Sequence, residues 1–125
     1  MAWILILIFI KIYDIIYIQS ERRIEMSLYY IEYGCSICTE HSIVEAKDMG
    51  AANEYAYLEA QNIYYSYDSN YPDEEDCEGL DEDEIAEMMQ QDMEQDIQYF
   101  AEVYNPDNED HAMTMREQGN RPHEI

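Results

Sequence analysis

Cys35-Ser36-Ile37-Cys38 places two thiols three residues apart, His41 follows three residues on, and Cys77 stands far downstream. Thiolates and imidazoles are ligands of zinc, and thiols at this spacing on a hairpin tip can hold the ion. Cys77 with His41 would complete a tetrahedral set and staple a distant loop to that tip. The second C-x-x-C of a zinc ribbon is missing, so three reduced thiols without metal are the competing reading. A thioredoxin-like pair is disfavoured, because its motif opens a helix after a strand and this one falls between two strand-like runs. An odd cysteine count also argues against a disulfide-built secreted domain. The candidate metal ligands are therefore Cys35, Cys38, His41 and Cys77, with zinc the one cofactor considered.

Carboxylates are the other abundant chemistry, 29 Asp plus Glu against 6 Lys plus Arg. Pairs of them occur everywhere, so a pair alone says nothing of acid/base catalysis, which needs apolar surroundings to raise one pKa. Neither residues 68–76 nor 107–110 carry a calcium loop with its glycine and its twelfth-position glutamate. The glycines at 34, 50, 79 and 119 are too scattered to cradle a phosphate. No Ser-His-Asp set stands out, and His41 near Cys38 is the one Cys-His pairing. No catalytic residue is predicted, and an enzyme is not expected.

The charge is distributed unevenly. Residues 1–25 hold three bases and three acids, so the whole net charge of -23 belongs to residues 26–125, where 26 acids face only Lys47, Arg116 and Arg121. Direct nucleic-acid binding needs cations that displace counterions, and this body has almost none. An anionic membrane surface is disfavoured for the same reason. Leu, Ile, Val and Phe number 25, but 12 of them lie in the first 25 residues. A body so poor in aliphatics would normally stay disordered. Its 11 Tyr and 7 Met supply the alternative, a small core of large side chains with polar handles.

Strands and helices must position these groups. Ser27 to Gly34 alternates, is rich in Tyr and Ile, and ends on glycine, which predicts a strand. His41 to Lys47 predicts its hairpin partner. Asp48 is a plausible N-cap, and Ala52, Tyr55, Ala56, Ala60, Ile63 and Tyr67 fall on one face of a helix over 51–67. Residues 68–84 are acidic at ten of 17 positions and contain Pro72 and Gly79, which predicts a loop over about 68–81. A second amphipathic helix is expected over 82–104, with Ile85, Met88, Met89, Met93, Ile97, Phe100, Ala101 and Tyr104 as its stripe and Asn105-Pro106 as its stop. Residues 97–104 also alternate, so a third strand is the alternative there. The tail from 105 to 125 shows no repeated apolar pattern and is expected to be loose. The expected fold class is α+β: a β-hairpin covered by a helix, an acidic loop, a second helix and a partly disordered tail.

The run Val44-Glu45-Ala46-x-Asp48, followed by Ala52 and Ala56 and preceded by the hairpin, resembles the small β-β-α proteins of phages and conjugative elements of Gram-positive bacteria. The resemblance covers about residues 27–60. It implies a mobile-element origin and a compact α+β fold, and it brings no catalytic residues with it.

Met1 to Ile18 reads MAWILILIFIKIYDIIYI. As a membrane span it places Lys11 and Asp14 near its middle, at about 2.5 kcal/mol or more each. As a signal peptide it lacks an early basic region and a small-residue cleavage site. Its eight isoleucines are also what AT-rich upstream DNA gives when translated, and Glu21-Arg22-Arg23 can be encoded by a ribosome-binding sequence at a spacing that suits initiation at Met26. A single-span anchor, a buried strand and a start at Met26 all stay open. A cytoplasmic location is expected, with membrane contact only if residues 1–18 are part of the product.

Tyr57, Tyr64 and Tyr71 add phenols beside carboxylates, the composition of a protein-binding surface. The sequence thus predicts a non-enzymatic acidic interaction or inhibitor protein of a mobile element, whose partner is a protein with a basic groove. Tyr64, Tyr71, Asp81, Asp83 and Glu84 are the candidate contact residues. Carboxylates on a helix face can imitate a phosphate backbone, in the manner of anti-restriction and anti-CRISPR proteins. An acidic accessory protein of another kind and a small zinc-stapled module are the alternatives.

Overall fold

The computed structural model describes residues 25–125. The readings of residues 1–24 as a span, a signal peptide, a buried strand or translated upstream DNA with its Glu21-Arg22-Arg23 run lie outside these residues.

The chain folds as α+β. Strand β1 (Ser27–Gly34) and strand β2 (Thr39–Ala46) form an antiparallel hairpin, helix α1 (Met49–Tyr65) follows, and a single 3-10 turn occupies Asp68–Asn70. Helix α2 (Glu82–Asp96) leads directly into strand β3 (Gln98–Val103), and helix α3 (Glu109–Glu117) and a two-residue strand β4 (His123–Glu124) complete the chain. The sheet order is β3-β1-β2-β4, with β3 antiparallel to β1 and β4 parallel to β2.

Strand β1 is central, and its alternation is used on both faces. Tyr29, Ile31 and Tyr33 pack under α1 together with Val44 and Ala46 of β2. Tyr30, on the opposite face, is buried beneath His111 of α3. The helix meets the sheet through Ala52, Ala56 and Ala60, all completely buried. Methyl side chains let the helix backbone lie close to the strands, and the large tyrosines that fill the layer come from the sheet. This is why a chain with few leucines still closes a core.

Asp48 caps α1, its carboxylate accepting the Ala51 N–H at 2.7 Å. Asp48→Ala should lower stability by about 1 kcal/mol, the usual value of an N-cap, while Asp48→Asn should leave it nearly unchanged. Chemical denaturation of the three proteins checks this, and equal midpoints for all three would contradict it.

Two expectations are corrected. The helix expected over 82–104 stops at Asp96, and 98–103 is the third strand. The Ile97 N–H still reaches the Met93 carbonyl at 3.0 Å, but its own backbone is extended, so one residue makes the switch without a turn. The physical reason is β1, whose even-numbered backbone groups point away from β2 and need partners. The alternating 98–103 segment supplies them.

The tail is ordered rather than loose. Asn108 caps α3 by accepting the N–H groups of Asp110 and His111, Glu109 and Asp110 stand in its first turn, and Arg116 stands in its last. Those are favourable ends for the helix dipole. Gly119 and Asn120 then take left-handed backbone conformations that end the helix. Its two buried residues are His111 and Thr114, both polar, so no apolar stripe announces it.

Candidate partner-binding surface

The acidic segment folds back against α2 and leaves an open cleft of about 590 Å³ between the end of α1, the 3-10 turn and α2. Its walls include Tyr64, Asn70, Tyr71, Asp76, Asp92 and Asp96. Local hydrogen bonds shape it. The Tyr64 hydroxyl donates to the Asn70 carbonyl at 3.3 Å, the Asn70 amide donates back to the Tyr64 carbonyl at 2.8 Å, and the Tyr71 hydroxyl donates to the Tyr65 carbonyl at 2.8 Å. Asp96 accepts the Ser36 hydroxyl at 3.0 Å and ties α2 to the hairpin connection. Met93, buried against Cys35 and Tyr64, is the apolar anchor of the same helix.

No lysine or arginine lines this cleft. Among the described residues no Lys or Arg stands in an ion pair, and the one contact of that kind joins the His111 imidazole to Glu102, so the carboxylates of the acidic loop and α2 have no internal counter-charge. Burial, and after it Asp92 and Asp96, push the Tyr64 phenol above its ordinary pKa. The site can therefore receive a guanidinium or ammonium group, with Tyr71 and Met88 as flanking surface.

The expected contact residues have different fates. Tyr71 is 44% exposed and sits at the cleft mouth. Tyr64 is only 4% exposed, so it is a core residue and not the exposed anchor expected of it. The correction follows from strict four-residue spacing: Tyr64 continues the Ala52, Ala56, Ala60 stripe, while Tyr67 lies beyond the helix. Asp81, Asp83 and Glu84 are exposed at the start of α2, and Asp81 also caps the helix by accepting the Glu84 N–H at 2.8 Å. Asp92 and Asp96 were not anticipated as site residues. They enter because three separate segments converge, which no local pattern shows.

The four residues considered for zinc are spread. Cys35 is buried against Tyr64 and Met93 on the α1 side. Cys38 is half-buried, and its proximity raises the Tyr67 phenol pKa. His41 is on the other face of the sheet, with Nδ1 2.6 Å from Thr114 Oγ1. Because that hydroxyl donates its proton to the Asp110 carbonyl at 2.8 Å, His41 Nδ1 is the donor. Cys77 lies in the acidic loop, and all three cysteines are free. Among the described residues no group of three or more Cys, His, Asp or Glu is arranged to hold a metal ion.

His111 is the buried polar centre of the opposite face, and the sequence did not mark it. The Asn105 N–H donates to its Nδ1 at 2.9 Å, so Nε2 carries the proton and donates to the Glu102 carboxylate at 2.6 Å. The ring stacks on Tyr30 with centroids 4.3 Å apart. Both nitrogens are engaged, Nε2 joining α3 to β3 and Nδ1 joining it to the connection that follows β3. Burial, and then the hydrogen bond to Glu32, raise the Tyr30 phenol pKa.

No family model, curated protein or solved structure matches the chain. Among the described residues no helix is long and apolar enough to cross a membrane.

Proposed function

We propose that the protein is a small acidic interaction protein that occupies a basic, nucleic-acid-binding groove on another protein. The observation that carries this reading is the uncompensated charge: the carboxylates of the 73–84 segment and of α2, apart from half-buried Asp96, are exposed, and no Lys or Arg among the described residues pairs with them. A compact fold presents them on a short helix and a cleft, so a partner's Lys and Arg side chains meet a fixed negative surface. Such a surface gains both steering and counterion release on meeting a cationic groove. Exposed ion pairs are worth about 0 to 1 kcal/mol each, so an apolar contact must add to them. Tyr71 supplies it. An inhibitor of a nuclease encoded against mobile elements is the role that fits this chemistry and the hairpin-helix resemblance, and no catalytic step is assigned to the protein.

The test is competition. The protein is titrated against candidate nucleases bound to DNA or guide RNA at low and moderate salt. Displacement should weaken with salt and be lost in the triple variant Asp81→Asn, Asp83→Asn, Glu84→Gln, which keeps an Asn cap on α2 and hence the helix. Displacement indifferent to salt and to neutralisation would mean that the acids are only a solvated surface.

A further inference from the structure

The two edges of the sheet are treated differently. On β2 the outward backbone groups of Ile43 and Glu45 are occupied by the chain itself: Gln118 Oε1 accepts the Ile43 N–H at 2.6 Å, Gln118 Nε2 donates to the Ile43 carbonyl at 3.0 Å, and the Ile125 N–H reaches the Glu45 carbonyl. Strand β3, at the other edge, has no such cover among the described residues.

Its outward groups can be identified. The Tyr104 N–H donates to the Leu28 carbonyl at 3.0 Å, and these two residues continue the β1–β3 register. Hydrogen-bonded and non-hydrogen-bonded pairs alternate in an antiparallel ladder, so Gln98, Phe100 and Glu102 bond inward to β1. Tyr99, Ala101 and Val103 therefore aim their N–H and C=O groups outward. Unpaired edge groups of this kind are a template for another strand.

The side chains around this edge are unusual for so acidic a molecule. Tyr99 is 40%, Phe100 42% and Val103 63% exposed. The flank of α1 beside them carries Tyr57, in edge contact with Tyr99 at 5.1 Å, and Asn53 and Gln61 one turn either way. The one charged residue of β3, Glu102, is held by His111. An exposed, nearly charge-free strip on a chain of net charge -23 has the character of an interface centre, from which charge is depleted.

We propose that β3 pairs with β3 of a second copy, antiparallel about a two-fold axis through Ala101, to form one continuous eight-stranded sheet. Outward residues pair only with outward residues, and this register uses all of them: Ala101 faces Ala101, and Tyr99 faces Val103 in both directions. That gives six backbone hydrogen bonds across the axis. Phe100 then stands opposite Glu102, so no like charges oppose each other, whereas a register centred on Glu102 would confront two carboxylates. Helix α1 lies over β1 and β3. Strands are about 4.8 Å apart, so the two copies of α1 would run about 10 Å from each other, the spacing of packed helices. A second copy is favoured over a foreign peptide because the edge is complementary to itself in register, hydrogen bonding and side-chain size.

Sedimentation equilibrium of the full chain should give twice 14.9 kDa, with association that tightens as salt screens the two negative bodies. Hydrogen exchange reads the register. The Phe100 and Glu102 amides are protected in any folded state, while those of Tyr99, Ala101 and Val103 should be protected only in the dimer. Val103→Lys, at an exposed edge position, should abolish the dimer and expose those three amides, with circular dichroism confirming the fold. A monomer at every salt concentration with the three amides open would overturn the proposal, as would a dimer that keeps them open. Protection of the three amides in a monomer would overturn it too, since the chain itself would then cover the edge. A variant that fails to fold leaves the decision to the exchange pattern of the unaltered protein.

Discussion

Gly34→Ala is expected to be among the most damaging single-methyl changes this protein can suffer. Gly34 ends β1 and pairs with Thr39 on one side and Gln98 on the other. A Cβ built there would stand 2.2 Å from the Cys38 carbonyl oxygen and 2.6 Å from the Thr39 Cα. Both are backbone atoms, so no rotamer change relieves the collision. The connection closed by the Cys35 N–H to Cys38 carbonyl bond at 2.8 Å would have to open, and β3 would lose its register partner with it. Overpacking of side chains costs about 1 to 3 kcal/mol, and a backbone collision belongs at the top of that range or above. For a domain of this size each kilocalorie moves the melting midpoint by about 4 to 8 °C. Gly79→Ala is the useful comparison: its φ of +81° carries strain of about 1 to 2 kcal/mol, but nothing lies within 4 Å of the added methyl. Thermal melts should therefore rank Gly34→Ala well below Gly79→Ala. Equal midpoints would show that the hairpin connection yields without effort.

The hairpin and the first helix were legible because their signals are local. Ser27 to Gly34 alternates, Asp48 announces a cap, and alanines recur at four-residue intervals. What the sequence hid was decided by partners. Residues 97–104 satisfy a helical stripe and a strand alternation equally well, and the open side of β1 chooses between them. Helix α3 buries His111 and Thr114 instead of aliphatics, so a reading based on apolar periodicity passes over it although Asn108 and Gly119 mark its ends. Tyr64 continues the alanine stripe at four-residue spacing, whereas Tyr67 reads as a core position only if the helix is carried past its actual end at Tyr65. The cleft was half legible: the acids and Tyr71 are adjacent in sequence, whereas Asp92 and Asp96 arrive from the far end of α2.

The tyrosine core has a consequence at high pH. Burial pushes the Tyr33 phenol up to about 12, with Glu40 adding to the shift, and burial also raises the pKa of Tyr30, Tyr55, Tyr64 and Tyr65. In the unfolded chain these groups ionise near 10. The protonated phenol is thus favoured by folding, and its stabilising contribution is fully present below pH 10. Between pH 10 and 12 the unfolded state releases protons that the folded state keeps, so the free energy of unfolding falls as pH rises. Tyr33 alone, raised toward 12, contributes at most about 3 kcal/mol across that window, less whatever solvent screening removes. For a small domain that is a large share of the total stability, and other buried phenols act in the same direction. The protein should therefore unfold cooperatively between pH 10 and 12. Tyrosinate absorbance should rise first for exposed phenols and then in a step that coincides with loss of circular dichroism. Tyr33→Phe, which keeps the ring and removes the proton, should shift that transition to higher pH. A single smooth titration near pH 10 of all 13 tyrosines, with the fold intact, would show that these rings are not held in a dry core.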